Sequence, residues 1–469
     1  MASPQQTSSN TNMPSANLEA AAQKTYKSIV GYRAEIIHFL SDPIKGEDES
    51  YEHFEDGILL VDEGRVVACG AAEDVIRHFK GQAVTIEDRR PALIMPGFID
   101  AHIHFPQIDM IGSHGEQLLE WLNKYTFPAE AKFQDSEYAA MAAEMFVKEL
   151  LRSGTTTALA FCTVHEQSVD ALFEEAEKRD MLMIAGKVLM DSPEFAPAEL
   201  RMEAKESYEA TKRLINRWHG KGRNLYAVTP RFAITSTFEQ LELAGKLLKE
   251  HEGVYMHTHM NENKNEIALV KKIHNVDNYI DVYDKAGLLG PRSVLAHCVH
   301  MTDDDWGKMH RSGSSACHCP SSNLFLGSGL FAMQEARKHN VKVGLGTDVG
   351  AGTSFCQLSS LDDAYKVGQL HGDPLTPFSA FHLATLGTAE SLSLEHKIGN
   401  FLPGKEADFL VLDLSSTPLL EYRMKLTTAI EEKLFLLSTL GDDRCVQQTF
   451  CHGKMQHDRD AVEKGNNSA

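Results

Sequence analysis

Residues 93–105 read LIMPGFIDAHIHF, and the fold turns on this stretch. An apolar run ends in His102-Ile103-His104. In a strand, side chains at i and i+2 share a face, so the two imidazoles converge. Working outward, seven more short apolar runs follow. They are TTTALAF (155–161), MLMIAGKVLM (181–190), LYAVTPRFAI (225–234), VYMHTHM (254–260), SVLAHCVH (293–300), SSACHCP (314–320) and VKVGLGTDV (341–349). Amphipathic stretches at 137–151, 166–180, 199–217, 238–250 and 329–339 lie between them. Eight β–α alternations over about 250 residues predict a (β/α)8 TIM-like barrel, an α/β fold.

The flanks have a different grammar. SIVGYRAEIIHFL and GILLVDEGRVVACG read as strands, the second with an Asp-Glu-Gly turn between Val-rich halves. A β pattern returns in PGKEADFLVLDL (403–414) and CVQQTFCHGKMQH (445–457). The expected organisation is a barrel over 93–394 and a small β-sandwich domain built from both chain ends, at 25–92 and 395–457. Residues 1–24, with SPQQTSSNTN, read as a disordered tail, and 458–469 as a frayed one. The sequon at Asn466 reads as chance.

Composition narrows the function. The chain has 469 residues, 42% hydrophobic and 24% charged, enough for one large barrel and a companion. Lys and Arg total 46 against 66 Asp and Glu, a net charge of −20. Such a surface repels phosphate backbones, so no nucleic-acid partner is expected. A small neutral or cationic substrate fits better. No apolar run approaches the roughly 20 residues that span a bilayer. No signal peptide is recognisable. The expectation is a cytoplasmic protein without a membrane partner, its eight cysteines free thiols.

A lone H-x-H is as often a packed pair as a ligand pair. Here other strand ends contribute. His259 ends the fifth predicted strand, His297 lies late in the sixth, and Asp348 ends the eighth. Barrel active sites sit at this end of the strands. Nitrogen and carboxylate donors suit Zn²⁺, with Fe²⁺ or Mn²⁺ as competitors. Ligand types alone also admit a two-His-one-carboxylate oxygenase.

PGFIDAHIHFPQ (96–107), the H-x-x-E of His259 to Glu262, AHC (296–298) and GLGTDVGAG (344–352) resemble the amidohydrolase superfamily. LLEWLNKYTFPAE (118–130), GTTTALAF (154–161), TPRFAIT (229–235) and HCPSSNLFLGSG (318–329) are similar to the guanine deaminases within it. The resemblance covers nearly the whole chain after the tail. It implies a metal-dependent aminohydrolase of purine catabolism that turns guanine into xanthine and ammonia, with one Zn²⁺ per subunit in a homodimer. It puts the metal on His102, His104, His259 and Asp348. His297 then orients the water, Glu262 shuttles protons, and Gln107, Arg231 and Phe232 read the base, alongside Glu262 and Asp348. His257 departs from the family pattern and raises the question of which strand-five imidazole is the ligand. The fourth strand ends without the Lys that bridges two metals in binuclear relatives.

The pocket residues also have plain chemistry. An Arg fork donates to guanine O6 and N7, where adenine would present an amino donor. Without the motif, an Arg is more often in a salt bridge. Gln107 both donates and accepts. Phe232 can wall a ring, and Trp121 can help to close the pocket. Cys317-His318-Cys319 is discounted as a ligand set, because alternation sends His318 away from the two cysteines. Lys187 is read as structural. Two other readings stay open: a related barrel deaminase or chlorohydrolase acting on another heterocycle, and a scaffold that lost catalysis.

Overall fold

The structure is a computed structural model and describes residues 15–115 and 117–461. Four strands come first: β1 (Ile29–Phe39), β2 (Tyr51–Asp62), β3 (Arg65–Ala71) and β4 (Val84–Pro96). Then come β5 (Phe98–His104), β6 (Thr155–Phe161), β7 (Leu182–Gly186), β8 (Val188–Leu189), β9 (Leu225–Pro230), β10 (Tyr255–Met260), β11 (Ser293–His297), β12 (Ser315–His318) and β13 (Val343–Leu345). β14 (Phe409–Leu412), β15 (Val446–Cys451) and β16 (Lys454–Asp458) close the chain.

The barrel runs β5-β6-β7-β9-β10-β11-β12-β13, all neighbours parallel, with β8 as a short extra rung on β9. Between β13 and β5 the ladder is replaced by backbone bonds just beyond the strand end. Asp348 N donates to His102 O at 2.9 Å, and His104 N to Val349 O at 2.9 Å. Ile99, Ala101, Leu159, Leu182, Ile184, Ala227, Tyr255, Val294 and Cys317 form one buried cluster drawn from seven of these strands, the packed interior of the barrel. β5 carries an extra residue between Asp100 and Ile103 relative to β6. Such bulges re-aim side chains. Here Ile103 joins the outer core, so His102 and His104 turn inward after Ile99 and Ala101.

The β sandwich expected from both chain ends is one continuous mixed sheet, β16-β15-β14-β4-β1-β2-β3. It folds back on itself. Val66 N donates to Lys405 O and Ala407 N to Gly64 O, both at 2.8 Å, so the β3 edge meets the segment entering β14. Tyr32, Leu59, Val66, Phe409 and Phe450 then share one core from both layers. The opposite face, with Ile37, Leu93, Leu410 and Val446, packs on Leu358, Leu361, Phe381 and Leu437 from helices of the barrel side and the C-terminal segment.

Four expectations are corrected. The run 93–105 is two strands, because Leu93–Pro96 pairs with β14 and only Phe98 onward enters the barrel. Residues 15–22 of the expected disordered tail form a helix, with Leu18 and Ala21 buried on Ile58, Leu60 and Val75. Ala and Leu favour a helix there despite the Ser and Asn around them. Asp458 of the expected frayed end pairs with Gln448. Residues 1–14 and 462–469, including Asn466, lie outside the described residues. Two helices, Pro418–Met424 and Ile430–Leu440, also stand where only strands were expected.

The split of 93–105 rests on Gly97. A Cβ there would fall 2.1 Å from Thr156 Oγ1 and 2.8 Å from its Cβ. The chain can pass from one sheet to the other only by lying flat on β6. Gly97→Ala is therefore expected to destabilise by about 1–3 kcal/mol, the usual range for an overpacked site. Urea unfolding followed by circular dichroism checks this, and an unchanged midpoint refutes it.

Candidate metal centre

Three imidazoles and one carboxylate meet at the C-terminal mouth of the barrel. One ligand atom from each of His102, His104, His259 and Asp348 lies within 4.8 Å of the others. His102 Nε2 is 3.0 Å and His104 Nε2 3.3 Å from Asp348 Oδ1. His104 Nε2 faces His259 Nε2 at 3.1 Å. His102 Nε2 is buried and has no hydrogen-bond partner among the described residues, so its short approach to Asp348 lacks hydrogen-bond geometry. A lone pair aimed at a shared cation accounts for that arrangement.

The outer ring nitrogens fix the tautomers. His259 Nδ1 donates to Arg231 O at 2.6 Å, leaving a lone pair on Nε2. His102 Nδ1 faces His257 Nε2 at 2.7 Å. His257 therefore sits behind His102 and outside the ligand cluster, and the strand-five imidazole at the cluster is His259. Phe161 stacks on His104 at 4.8 Å between centroids. Burial lowers His102, pushes His104 down to about 3 and holds His259 well below its usual value. Neutral imidazoles are what a cation needs. Burial alone would raise the Asp348 carboxyl, but His102 and His104 hold it well below the ordinary range.

Local structure positions these groups. Buried Asp100 accepts from His102 N (3.1 Å), Thr347 N (3.2 Å) and Thr347 Oγ1 (2.5 Å), clamping β5 to the turn that carries Asp348. His297 and Asp348 both have positive φ, 72° and 51°. His297 stays outside the cluster, with Nε2 3.5 Å from Glu262 Oε2 and 3.8 Å from Asp348 Oδ2. Its Nδ1 donates to Asn323 Oδ1 at 2.9 Å. Glu262 stands two residues past the end of β10. The capping box of helix Lys264–His274 reaches back to it, since Glu266 Oε2 accepts from Glu262 N at 2.9 Å. Burial first, and the Asp348 charge second, push the Glu262 carboxyl up to about 8, against the bond from Ser328 Oγ at 2.9 Å.

A cavity opens onto this cluster. Gln107, Trp121, Arg231, Phe232, Glu262 and His297 line it, with Leu118, Leu122 and Leu326. The site residues expected from the sequence thus lie at this cavity or in the ligand cluster. Lys187 is elsewhere: its Nζ donates to Ser207 Oγ at 2.9 Å on an outer helix. Cys317 and Cys319 lie 3.8 Å apart below the site while His318 stacks on Phe331. The eight cysteines are buried and unbridged.

Sequence reading missed Glu130, Asn323, Ser328 and Asp100. Glu130 is fully buried and accepts from Arg231 NH1 at 2.7 and 2.8 Å. It also accepts from Gln107 Nε2 at 3.4 Å. Glu130 ends the LLEWLNKYTFPAE motif, and Asn323 and Ser328 lie inside HCPSSNLFLGSG, so the signal was present but its partners were not visible.

Comparison with known proteins gives the family. The Amidohydrolase family pattern matches residues 93–455. The chain is 48% identical over 440 residues to guanine deaminase of Escherichia coli (strain K12), covering 94% of this chain and 99% of that one. The solved E. coli guanine deaminase superposes with a TM-score of 0.88, covering 92% and 99% of the two chains at 49% identity. Guanine deaminase from C. acetobutylicum, solved with guanine in its active site, matches at 28% identity with a TM-score of 0.82, covering 91% and 100%. By pattern, sequence and barrel alike, the chain belongs to the amidohydrolase family.

Proposed function

We propose that this chain hydrolyses guanine to xanthine and ammonia. The observation that carries the reading is one cavity holding both a cation-ready cluster and a buried Arg231 whose donors suit guanine O6 and N7. The near-full-length likeness to guanine deaminases supports it. The donor set fits a metal: three neutral imidazoles, one carboxylate, and an unpartnered Nε2 at the focus. Zinc is the proposed ion, one per subunit, on His102, His104, His259 and Asp348; the ligand types also accept Fe²⁺ or Mn²⁺. Such an ion supplies Lewis acidity that lowers the pKa of water from about 15.7 to about 7.

The chain's own residues do the rest. Arg231 and Gln107 fix the base by its polar edge, and Phe232 and Trp121 wall the ring and exclude water. His297, its Nε2 lone pair set by Asn323, orients the attacking water toward C2. Glu262 takes a proton from that water and delivers it to ring N3 as the C2–O bond forms. Asp348 moves the remaining hydroxyl proton to the exocyclic amine. The C2–N bond breaks, ammonia leaves, and C2 becomes a carbonyl.

No helix among the described residues is long and apolar enough to cross a membrane. The eight unbridged cysteines support a reducing, cytoplasmic setting. A homodimer and a place in purine catabolism rest on the family resemblance.

Ultraviolet absorbance separates guanine hydrolysis from action on other heterocycles. Guanine must be lost and xanthine gained, and chelation must stop the reaction. Glu262→Gln is expected to keep its metal while kcat falls about 10²–10⁴-fold. Near-normal turnover removes Glu262 from the mechanism. His257→Ala is expected to weaken metal affinity about 10–100-fold, the usual effect of removing a partner that orients a ligand. Competition against a chromophoric chelator measures this, and wild-type affinity excludes the role.

A further inference from the structure

We infer that Glu130 sets the charge the pocket presents to a purine: it cancels Arg231, so the site reads guanine as a neutral base and releases the more acidic product. This rests on the guanine reading above.

Arg231 and Glu130 are both buried, with side-chain exposures of 2% and 0%. Both Glu130 oxygens accept from the single nitrogen NH1. The other guanidinium N–H groups remain for the base, and the ring of Phe127 lies 5.4 Å from the guanidinium carbon. Glu130 Oε1 also takes the Gln107 amide, whose Oε1 accepts from Gly350 N at 3.3 Å. One carboxylate thus orients both groups that meet the polar edge of the base. It stands on the short helix Phe127–Ala131, in the segment whose Leu118, Trp121 and Leu122 line the cavity.

The consequence is electrostatic. A lone buried guanidinium would bind an anion far better than a neutral ring. Deamination replaces an amine with a carbonyl, and xanthine loses a ring proton at lower pH than guanine does. An uncompensated Arg231 would therefore hold the product anion over the neutral substrate. With Glu130 in place the pair has no net charge, and the donors keep their directions while losing their preference for anions. Glu130 touches no reacting atom. It is a positioning and specificity residue acting through Arg231 and Gln107.

The test is product inhibition as a function of pH, on the metal-loaded enzyme. Guanine turnover by the wild type is established first, and its absence would refute the guanine reading rather than this one. In the wild type, xanthine inhibition should weaken as pH rises through xanthine ionisation. In Glu130→Gln, which keeps the shape but not the charge, it should strengthen over the same range. The ratio of xanthine Ki to guanine KM should fall about tenfold or more at the alkaline end. Metal content and melting temperature are read in parallel. A variant that is merely loosened would raise KM and Ki together without changing their pH dependence, and that outcome overturns the proposal. Glu130→Asp, which retains the charge, should keep the wild-type pH trend even if KM rises. If Glu130→Gln does not fold, xanthine binding to Glu262→Gln decides, because the other cavity carboxyl that titrates in this range is then gone: affinity that rises as xanthine ionises overturns the proposal, and affinity that falls supports it.

Discussion

The joint between the first and last barrel strands carries the site. β13 is short, and its ladder to β5 gives way to two backbone bonds, Asp348 N to His102 O and His104 N to Val349 O. Those bonds tie the residues of the cluster to one another through the main chain. Asp100 reinforces the joint from below with three accepted hydrogen bonds. The approach is close because residue 346 is a glycine: a Cβ there would fall 2.9 Å from His102 Cβ and 2.7 Å from Cys317 Sγ. A barrel that failed to close here would leave Asp348 away from the imidazoles, with neither a metal site nor a cavity floor.

Closure also concentrates cost at one end of the barrel. Asn261, His297, Cys298 and Asp348 all adopt positive φ, at 52°, 72°, 48° and 51°. Each such residue costs roughly 1–3 kcal/mol and persists only where its surroundings over-determine it. The determinants are visible. Cys298 N donates to Met260 O, and both Val299 N and His300 N donate to Asn261 O. The turns leaving β10 and β11 therefore brace each other, and they deliver Glu262 and His297 to the same wall of the cavity.

The strands were legible because each is a short apolar run between amphipathic helices, and every barrel strand falls on a run named from the sequence. His102, His104, His259 and Asp348 were legible because each lies near the C-terminal end of a predicted strand, although the eighth strand stops at Leu345 and Asp348 stands in the turn beyond it. The boundary at Gly97 was hidden, since 93–105 is continuous in hydrophobicity and only contact with Thr156 shows where one sheet yields to the other. His257 could not be placed by alternation, which gives it the same face as His259. Only the depth of the barrel separates the residue that meets the cluster from the one that meets His102 Nδ1. Glu130 was quoted inside a motif, but its role depends on Arg231, a hundred residues away, and no local pattern encodes that distance.

The residues that brace the site share a property. Asp100, Glu130, His257 and Asn323 are buried polar groups that turn toward a functional side chain rather than into the cavity. Burial makes each expensive unless paired. Their pairing in turn leaves the groups they hold with one usable orientation: His102 through His257, His297 through Asn323, Arg231 through Glu130. Preorganisation of that kind removes freedom before substrate arrives, which is where an active site gains most. A sequence displays the residues that do chemistry by their type and place on strand ends. The residues that constrain them carry no such mark, because their identity is set by a partner brought near only when the barrel closes.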